Sequence, residues 1–447
     1  MKTRRKVLLT NAQIIALGFF LVILSGSILL MFPISSKDGS WTPFIDALFT
    51  ATSATCVTGL VVFDTFTHWT VFGQIVILTL IQVGGIGLMT IVSGAYILLN
   101  KRIGIQTRQL LMTSAGNLQL SGVVRLIKRI LFGTLLFEGT GTVLLATQFC
   151  PEMGIGKGIY YAIFHSVSAF CNAGFDIMGF KGEYSSLISY QSNWIVNLTI
   201  ILLIVIGGIG FYVWSDMVKN RFRFRRLSLH TQITLTTTAF LLAFGTLVYF
   251  FFEKNFSMQG MTTDNRFLAS LFMATTPRTA GFNTIDLTKL SEPGNLLTMI
   301  LMLIGAGSGS TGGGIKVTTF AVLMLNLFFM VRGYENVTIF KKRLESNSFK
   351  QASSILCCYL LAVIVATMWI CSQEMYSATD VAFECFSAIG TVGLSKGLPA
   401  LMKPISKIIL ILLMYGGRLG GISFLMIFTR QEKERPLKRV SKKILLG

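Results

Sequence analysis

A chain of 447 residues that is 52% apolar, only 13% charged and carries a net charge of +20 has too little polar surface for a water-solvated globule. Its mean hydropathy of +0.67 points instead to a protein that crosses a membrane many times. Nucleic-acid binding is the poorer account of the positive charge, because no nucleic-acid motif accompanies the basic residues.

In chain order, the first apolar run follows the basic start Met1-Lys2-Thr3-Arg4-Arg5-Lys6, which looks like the opening of a signal peptide. No small-residue cleavage site precedes Pro33 and further apolar runs follow, so this run is expected to be retained. Stretches long enough to cross about 30 Å of hydrocarbon occupy residues 14–32, 71–99, 126–149, 194–214, 233–252, 296–330, 354–370 and 408–428, predicting eight transmembrane helices. Basic residues collect between alternate spans: Lys101, Arg102 and Arg125, then Lys219, Arg221, Arg223, Arg225 and Arg226, then Lys341, Lys342 and Arg343, then a tail from Arg430. The remaining connections are mixed, with Asp38, Asp64, Asp176, Asp264 and Asp286 among their acids. Both termini are therefore expected on the cytoplasmic side, where the basic face suits anionic lipids or an acidic partner protein. The seven cysteines show no C-x-x-C spacing and His68, His165 and His230 are scattered, so neither a disulfide framework nor a metal cluster is expected.

Between the members of successive span pairs lie four segments too amphipathic for spans and too apolar for plain loops: residues 44–60, 158–175, 266–282 and 379–394. Each starts with helical character, passes through small and hydroxyl residues and closes on a glycine. The closing residues are Cys56-Val57-Thr58-Gly59, Cys171-Asn172-Ala173-Gly174, Arg278-Thr279-Ala280-Gly281 and Gly390-Thr391-Val392-Gly393. The last glycines stand 115, 107 and 112 positions apart, an internal fourfold repeat. Each unit reads as span, short re-entrant helix, loop, span. A ten-residue helix is about 15 Å long and reaches mid-membrane, and extended backbone at that depth must line a wet cavity. Four such loops around one axis would present carbonyl oxygens that replace the water shell of a cation. The plainer alternative is four interfacial helices with turn glycines.

These residues carry a resemblance over almost the whole chain. The four loop endings, the Thr-Pro-Arg-Thr-Ala-Gly-Phe-Asn of residues 276–283, the Gly-Thr-Val-Gly-Leu of 390–394, the Gly-Gly-Ile-Gly of 84–87 and of 207–210, and the stretch 305–316 resemble the Trk/Ktr/HKT superfamily of potassium transporters. Within it the chain is similar to the pore-forming membrane subunit of bacterial Ktr systems, since eight spans without an extra leading pair are the Ktr arrangement. The resemblance implies an all-α membrane protein of four pseudo-symmetric repeats around one pore: 1–100, 101–220, 221–345 with an intramembrane gating loop at 305–316, and 346–430, then a basic tail at 431–447. It implies potassium at the carbonyls of the sixteen closing residues. It also implies a homodimer in the bacterial plasma membrane, resting on a cytosolic ring of nucleotide-binding subunits of the KtrA type, so that ATP and ADP bind that ring and not this chain. Sodium as an activator belongs to the family, but no residue here speaks for it. No loop reads Thr-Val-Gly-Tyr-Gly and the four differ, so strict selection against sodium does not follow.

The stretch Gly305-Ala306-Gly307-Ser308-Gly309-Ser310-Thr311-Gly312-Gly313-Gly314-Ile315-Lys316 contains a literal G-x-G-x-x-G. A dinucleotide site fails on context, because residues 317–331 run on without a charge and leave no room for a βαβ unit. A phosphate loop fails because Gly-Ile-Lys stands where Gly-Lys-Ser/Thr is needed. With six glycines in residues 305–314, each costing about 1 kcal/mol in a helix, the span must break here. An irregular loop beneath the filter can obstruct and can move, the gating role that the resemblance implies. Arg418, inside the last apolar run, must face a cavity and either repels cations or holds the loop; a purely structural arginine is the alternative. Lys316 reads equally as part of the gate or as a snorkelling topology residue. Glu138 has no visible partner and is expected to make a structural hydrogen bond in preference to coupling protons. The expected function is channel-like potassium uptake without covalent chemistry. A sodium- or proton-coupled symporter with alternating access is the alternative, although such proteins usually show inverted halves. An enzyme is not expected, since no paired carboxylates, nucleophile–base pair or metal constellation is present.

Overall fold

The computed structural model, which describes residues 10–88, 90–93, 123–334, 337–345 and 347–420, is almost wholly helical. The junction of the first two expected repeats near residue 100, the basic start at 2–6 and the tail at 431–447 lie outside the described residues. In chain order come α1 (Asn11–Met31), α2 (Phe44–Thr55), the single turn α3 (Thr65–His68) and α4 (Val71–Ile86). Then follow α5 (Val123–Met153), α6 (Ile155–Phe170), α7 (Trp194–Ile209) and α8 (Phe211–Lys219). The third group is α9 (Leu229–Phe252), α10 (Thr263–Thr275), α11 (Glu292–Leu303) and α12 (Val317–Val331), followed by a two-stranded ribbon of β1 (Thr338–Ile339) and β2 (Lys342–Arg343). The last is α13 (Asn347–Gln373), α14 (Ala378–Gly390), α15 (Leu398–Leu401) and α16 (Pro404–Leu419).

The first helix of each group is long and oily. Among the described residues four helices are long and apolar enough to cross a bilayer by themselves: 12–31, 124–153, 229–255 and 347–373. Only a third or less of the best apolar window of each is buried, and Phe132, Leu135, Leu361 and Met368 stand more than 60% exposed. Apolar area of that extent is stable only against hydrocarbon or another apolar surface.

In the first, second and fourth groups the second helix differs from the uninterrupted span that its sequence predicts, whereas in the third the chain leaves the helix beside Gly305, where the sequence predicts a break. α4, α7 and α16 are 16 residues each, about 24 Å, and α11 is 12. Three stop at a glycine with positive φ, Gly87, Gly210 and Gly420, and α11 runs out at Ile304 beside Gly305. At Gly210 the chain turns by 88° into α8. The apolar run continues past each of these glycines, which is why hydropathy alone merges the pieces. Their first turns are ordinary: Thr70, Asn193 and Ser291 cap α4, α7 and α11 with side-chain oxygens, and Pro404 opens α16.

The paired glycines have a packing role. A Cβ on Gly84 would collide with the Thr55 carbonyl, on Gly207 with that of Phe170, and on Gly417 with that of Ile389. Those carbonyls sit at one equivalent place, four residues before the closing glycine of each loop. A different contact joins the third group to the fourth, where Gly390 of α14 lies against the Met302 carbonyl of α11. Bare backbone on one partner lets the short helices reach the axis.

Candidate ion pathway

α2, α6, α10 and α14 end one loop short of a common axis, and their loops share a backbone. Two residues before each closing glycine the chain enters the left-handed region, at Val57 (φ 57), Asn172 (φ 60), Thr279 (φ 74) and Thr391 (φ 52). None of these is glycine, and a β-branched residue there costs on the order of 1–3 kcal/mol, so the surroundings must enforce it. Local bonds do so: Thr58 N donates to Ser53 O at 2.8 Å, Ala173 N to Ser168 O at 2.8 Å, Ala280 N to Thr276 O at 2.9 Å and Val392 N to Ser387 O at 2.9 Å. Hydroxyls on the last turn add a second tie. Ser53 and Ser387 accept from Gly59 N and Gly393 N at 3.0 Å, while Ser168 and Thr276 donate to Phe175 O and Phe282 O. The sequence shows these hydroxyls only as part of a small, polar stretch.

The loops close on one another in order. A Cβ on Gly59 would fall within 2.5 Å of the Ala173 carbonyl oxygen, on Gly174 of Ala280, on Gly281 of Val392 and on Gly393 of Thr58. Each closing glycine thus abuts the carbonyl of the next loop, and the fourth returns to the first. With φ between 69° and 95° at these four positions, a side chain is excluded by backbone conformation as well as by space.

On one side of the ring lies a cavity of about 90 Å³ lined by all four closing glycines together with Asp64, Asp176, Tyr184, Asn283 and Ser395. Asp64 is held by α3, accepting from Phe66 N and Thr67 N, and by Tyr184 N at 3.0 Å. Burial, reinforced by Asp64 nearby, pushes the Asp176 carboxyl up from 3.8 to about 7, against a stabilising bond from Met178 N. Sequence reading placed both acids outside the membrane but did not bring them to the ring. They lie in connections of irregular length that no periodicity registers.

On the other side sits the glycine-rich stretch. Gly307 N donates to Gly208 O at 2.7 Å and Gly309 O accepts from Phe211 N at 2.9 Å, fastening it to the broken end of α7. Gly305 N donates to Ile315 O and Val317 N to Ala306 O, which closes its base. Gly313 N donates to Thr391 Oγ1 at 3.0 Å, and Gly312 is pressed against the Thr279 hydroxyl so closely that no Cβ fits. Thr279 also lies 3.1 Å from the Asn172 amide. Arg418 donates from one guanidinium nitrogen to Thr311 O and from the other to Gly84 O and Gly85 O. Lys316 Nζ donates to Gly312 O at 2.7 Å and Gly313 O at 3.2 Å. Both cations therefore donate to carbonyls of the stretch. Ser308 pairs with Thr318 at 3.1 Å, whereas the Ser310 hydroxyl and the Thr311 side chain have no partner among the described residues; Gly314 adopts φ 65.

Of the seven cysteines expected to be buried thiols, Cys56, Cys171 and Cys385 are free and buried, whereas Cys150, Cys358 and Cys371 are half-buried and Cys357 is exposed. Glu138 accepts from Gln82 Nε2 at 3.1 Å, with the Cys171 thiol at 3.9 Å, so its side-chain partners come from α4 and the second loop and not from α5. Arg278 does not face the ring opening. Buried behind the third loop, it donates to Thr238 Oγ1 at 3.3 Å. Lys407 of α16 and Asp46 of α2 form an ion pair at 2.7 Å with side chains 10% and 14% exposed, joining the last group to the first.

Residues 5–436 match the family described as "TrkH: Cation transport protein". The chain belongs to that family. It is 38% identical to the potassium/sodium uptake protein NtpJ of Enterococcus hirae, over 100% of this chain and 99% of that one. It is 39% identical to the Ktr system potassium uptake protein B of Bacillus subtilis, over 97% of this chain and 96% of that one, and 35% identical to the Ktr system potassium uptake protein D of the same organism, over 98% of each. In fold it resembles the solved potassium transporter TrkH of Vibrio parahaemolyticus, with a TM-score of 0.74 over 96% of this chain and 87% of that one at 18% identity. Family membership, together with four apolar helices of spanning length, makes this a membrane protein of cation transport.

Proposed function

We propose that this chain is the conducting subunit of a potassium uptake system, with a selectivity filter at the four-loop ring and a gate in residues 305–316. The observation that carries the reading is the closed cycle of glycine against carbonyl, Gly59 to Ala173, Gly174 to Ala280, Gly281 to Val392 and Gly393 to Thr58. Oxygens of neutral carbonyls suit a weakly hydrated monovalent cation, which they bind firmly enough to strip its water and loosely enough to release it. Asp64 and Asp176 at the adjoining cavity raise the local cation concentration. Beneath the ring, Arg418 and Lys316 place positive charge on the path while the glycine-rich stretch fills it, so conduction requires that stretch to move.

Four loops entering from one side around one axis favour a gated pore over an alternating-access symporter, whose halves are commonly inverted. Each group then forms one repeat of span, re-entrant helix, loop and interrupted span, eight spans in all, with both termini cytoplasmic in a bacterial plasma membrane. A homodimer over a cytosolic nucleotide-binding ring supplies the force that moves the gate, and the nucleotide stays on the ring. The relatives named for potassium and for potassium with sodium leave the strictness of selection to experiment.

The decisive test is rubidium and sodium uptake in a strain without its own potassium uptake systems. Gly281→Ser, which drives a side chain into the Val392 carbonyl, should lose discrimination by roughly tenfold or more, since a 1.4 kcal/mol change in relative affinity suffices. Deletion of residues 308–313 should leak in the absence of any partner. Unchanged selectivity in the first and silence in the second would refute the assignment.

A further inference from the structure

The largest concentration of unpaired positive charge among the described residues is the connection between α8 and α9. Arg221, Phe222, Arg223, Phe224, Arg225 and Arg226 are consecutive and all exposed, with Phe222 at 69% and Phe224 at 40%. None of the four arginines forms an ion pair among the described residues. The nearby acid, Asp216, is occupied in shaping the connection, accepting from Asn220 Nδ2 at 2.7 Å and Ser228 N at 2.9 Å. Gln232 Nε2 donates to Phe224 O at 2.9 Å and ties the middle to α9. A loop pinned at both ends and in the middle is built, not merely solvated.

A second basic segment is brought to it. The Phe224 and Phe340 rings meet edge to face at 5.7 Å, which places the β1–β2 ribbon, with exposed Lys341, Lys342 and Arg343, beside the arginines. The location favours lipid over a soluble acidic partner. Arg226 is three residues, no more than about 10 Å of chain, from Leu229, where a helix of spanning length begins. That is about one Debye length from the headgroup plane at physiological salt. The 88° turn at Gly210 carries α8 sideways from α7 instead of outward, so the loop stays at that depth. Rings alternating with cations also fit an interface that is apolar on one side and anionic on the other, whereas a soluble partner would have to cover Phe222 within the membrane's own boundary.

We propose that the α8–α9 connection and the β1–β2 ribbon form one docking surface for anionic phospholipid headgroups, on the side of the ring that holds the glycine-rich stretch. The proposal rests on the membrane-spanning reading of the chain and gives its lipid partner a place. Its consequence reaches the gate, because α8 begins at Phe211, whose N–H holds Gly309 of that stretch.

The test uses the full-length protein carrying Phe222→Trp in vesicles that contain brominated phosphatidylglycerol or brominated phosphatidylethanolamine at equal mole fraction. The added fluorescence, taken as the difference from the unsubstituted protein, should be quenched preferentially by the anionic lipid. Each arginine engaged contributes about fivefold to that preference, so adding Arg221→Gln, Arg223→Gln, Arg225→Gln and Arg226→Gln together should reduce it by an order of magnitude or more. Equal quenching by both lipids would overturn the proposal, and so would no quenching by either, the result expected if the surface serves an acidic protein. Suppression by millimolar glycerol phosphate would overturn it as well, in favour of a soluble phosphate. Rubidium flux is measured on the same vesicles: preferential quenching without flux would count against the pore and not against the lipid surface, and flux without preferential quenching the reverse.

Discussion

The ring and the stretch beneath it touch, yet they are held by different means. Four pieces of backbone close the ring against one another, with glycines where no side chain fits and left-handed residues fixed by bonds from their own helix ends. The glycine-rich stretch is close-packed at Gly305, Gly307, Gly312 and Gly313 as well, but it is tied in addition by exchangeable bonds from several elements: Arg418 of α16, Thr391 of the fourth loop, and the ends of α7 and α8. Backbone close packing has few alternative arrangements, whereas a handful of hydrogen bonds worth about 1–3 kcal/mol each can be exchanged for others. On the proposed reading, the first kind of packing suits a part that discriminates and the second a part that opens.

The contrast is broken most severely at the seam that closes the cycle. Lys407→Met leaves the half-buried Asp46 without its cation and should cost about 2–3 kcal/mol, visible as a large loss of thermal stability in detergent. Adding Asp46→Leu should recover most of it. A single variant as stable as the parent would mean that the ring does not depend on this junction.

A smaller effect, on conduction instead of stability, is expected at the stretch below. Arg418→Gln removes the charged ties to Thr311 O and to the end of α4, so basal rubidium leak should rise severalfold, roughly tenfold if a bond of about 1.4 kcal/mol is lost, while the melting temperature moves little. If Arg418→Gln instead unfolds the protein, the two regions are not mechanically distinct.

The smallest effect belongs to the cavity beside the ring. Asp176 has its carboxyl raised to about 7, so it is charged above that pH and neutral below it. Uptake at low external potassium should fall by about twofold as external pH goes from 8 to 6, a modest change because Asp64 also faces the cavity. Asp176→Asn should remove the pH dependence and hold uptake at the acid-side level; an undiminished pH dependence in that variant would exclude this carboxylate as its source.

Much of the ring is legible in the sequence. The spacing of Gly59, Gly174, Gly281 and Gly393 announced four equivalent loops, and the short helices before them form where the amphipathic segments lie. The breaks at Gly87, Gly210 and Gly420 were not legible, because hydropathy measures only how oily a run is and these runs stay oily across the break. Nor were Val57 and Thr391 in the left-handed region, since local preference argues against it and only the surrounding bonds impose it. Glu138 gained its partners the same way, from Gln82 and Cys171 on other elements.

By itself the sequence determined the solvent, the number of loops and the residues that close them, because composition and periodicity are properties of a chain read one stretch at a time. Tertiary structure alone decided which loop abuts which, that Lys407 finds Asp46 361 positions away, and that Arg418 reaches across to hold Thr311. Contacts between distant segments depend on where helices turn and how near bare backbone lets them come, and neither quantity is carried by any local pattern.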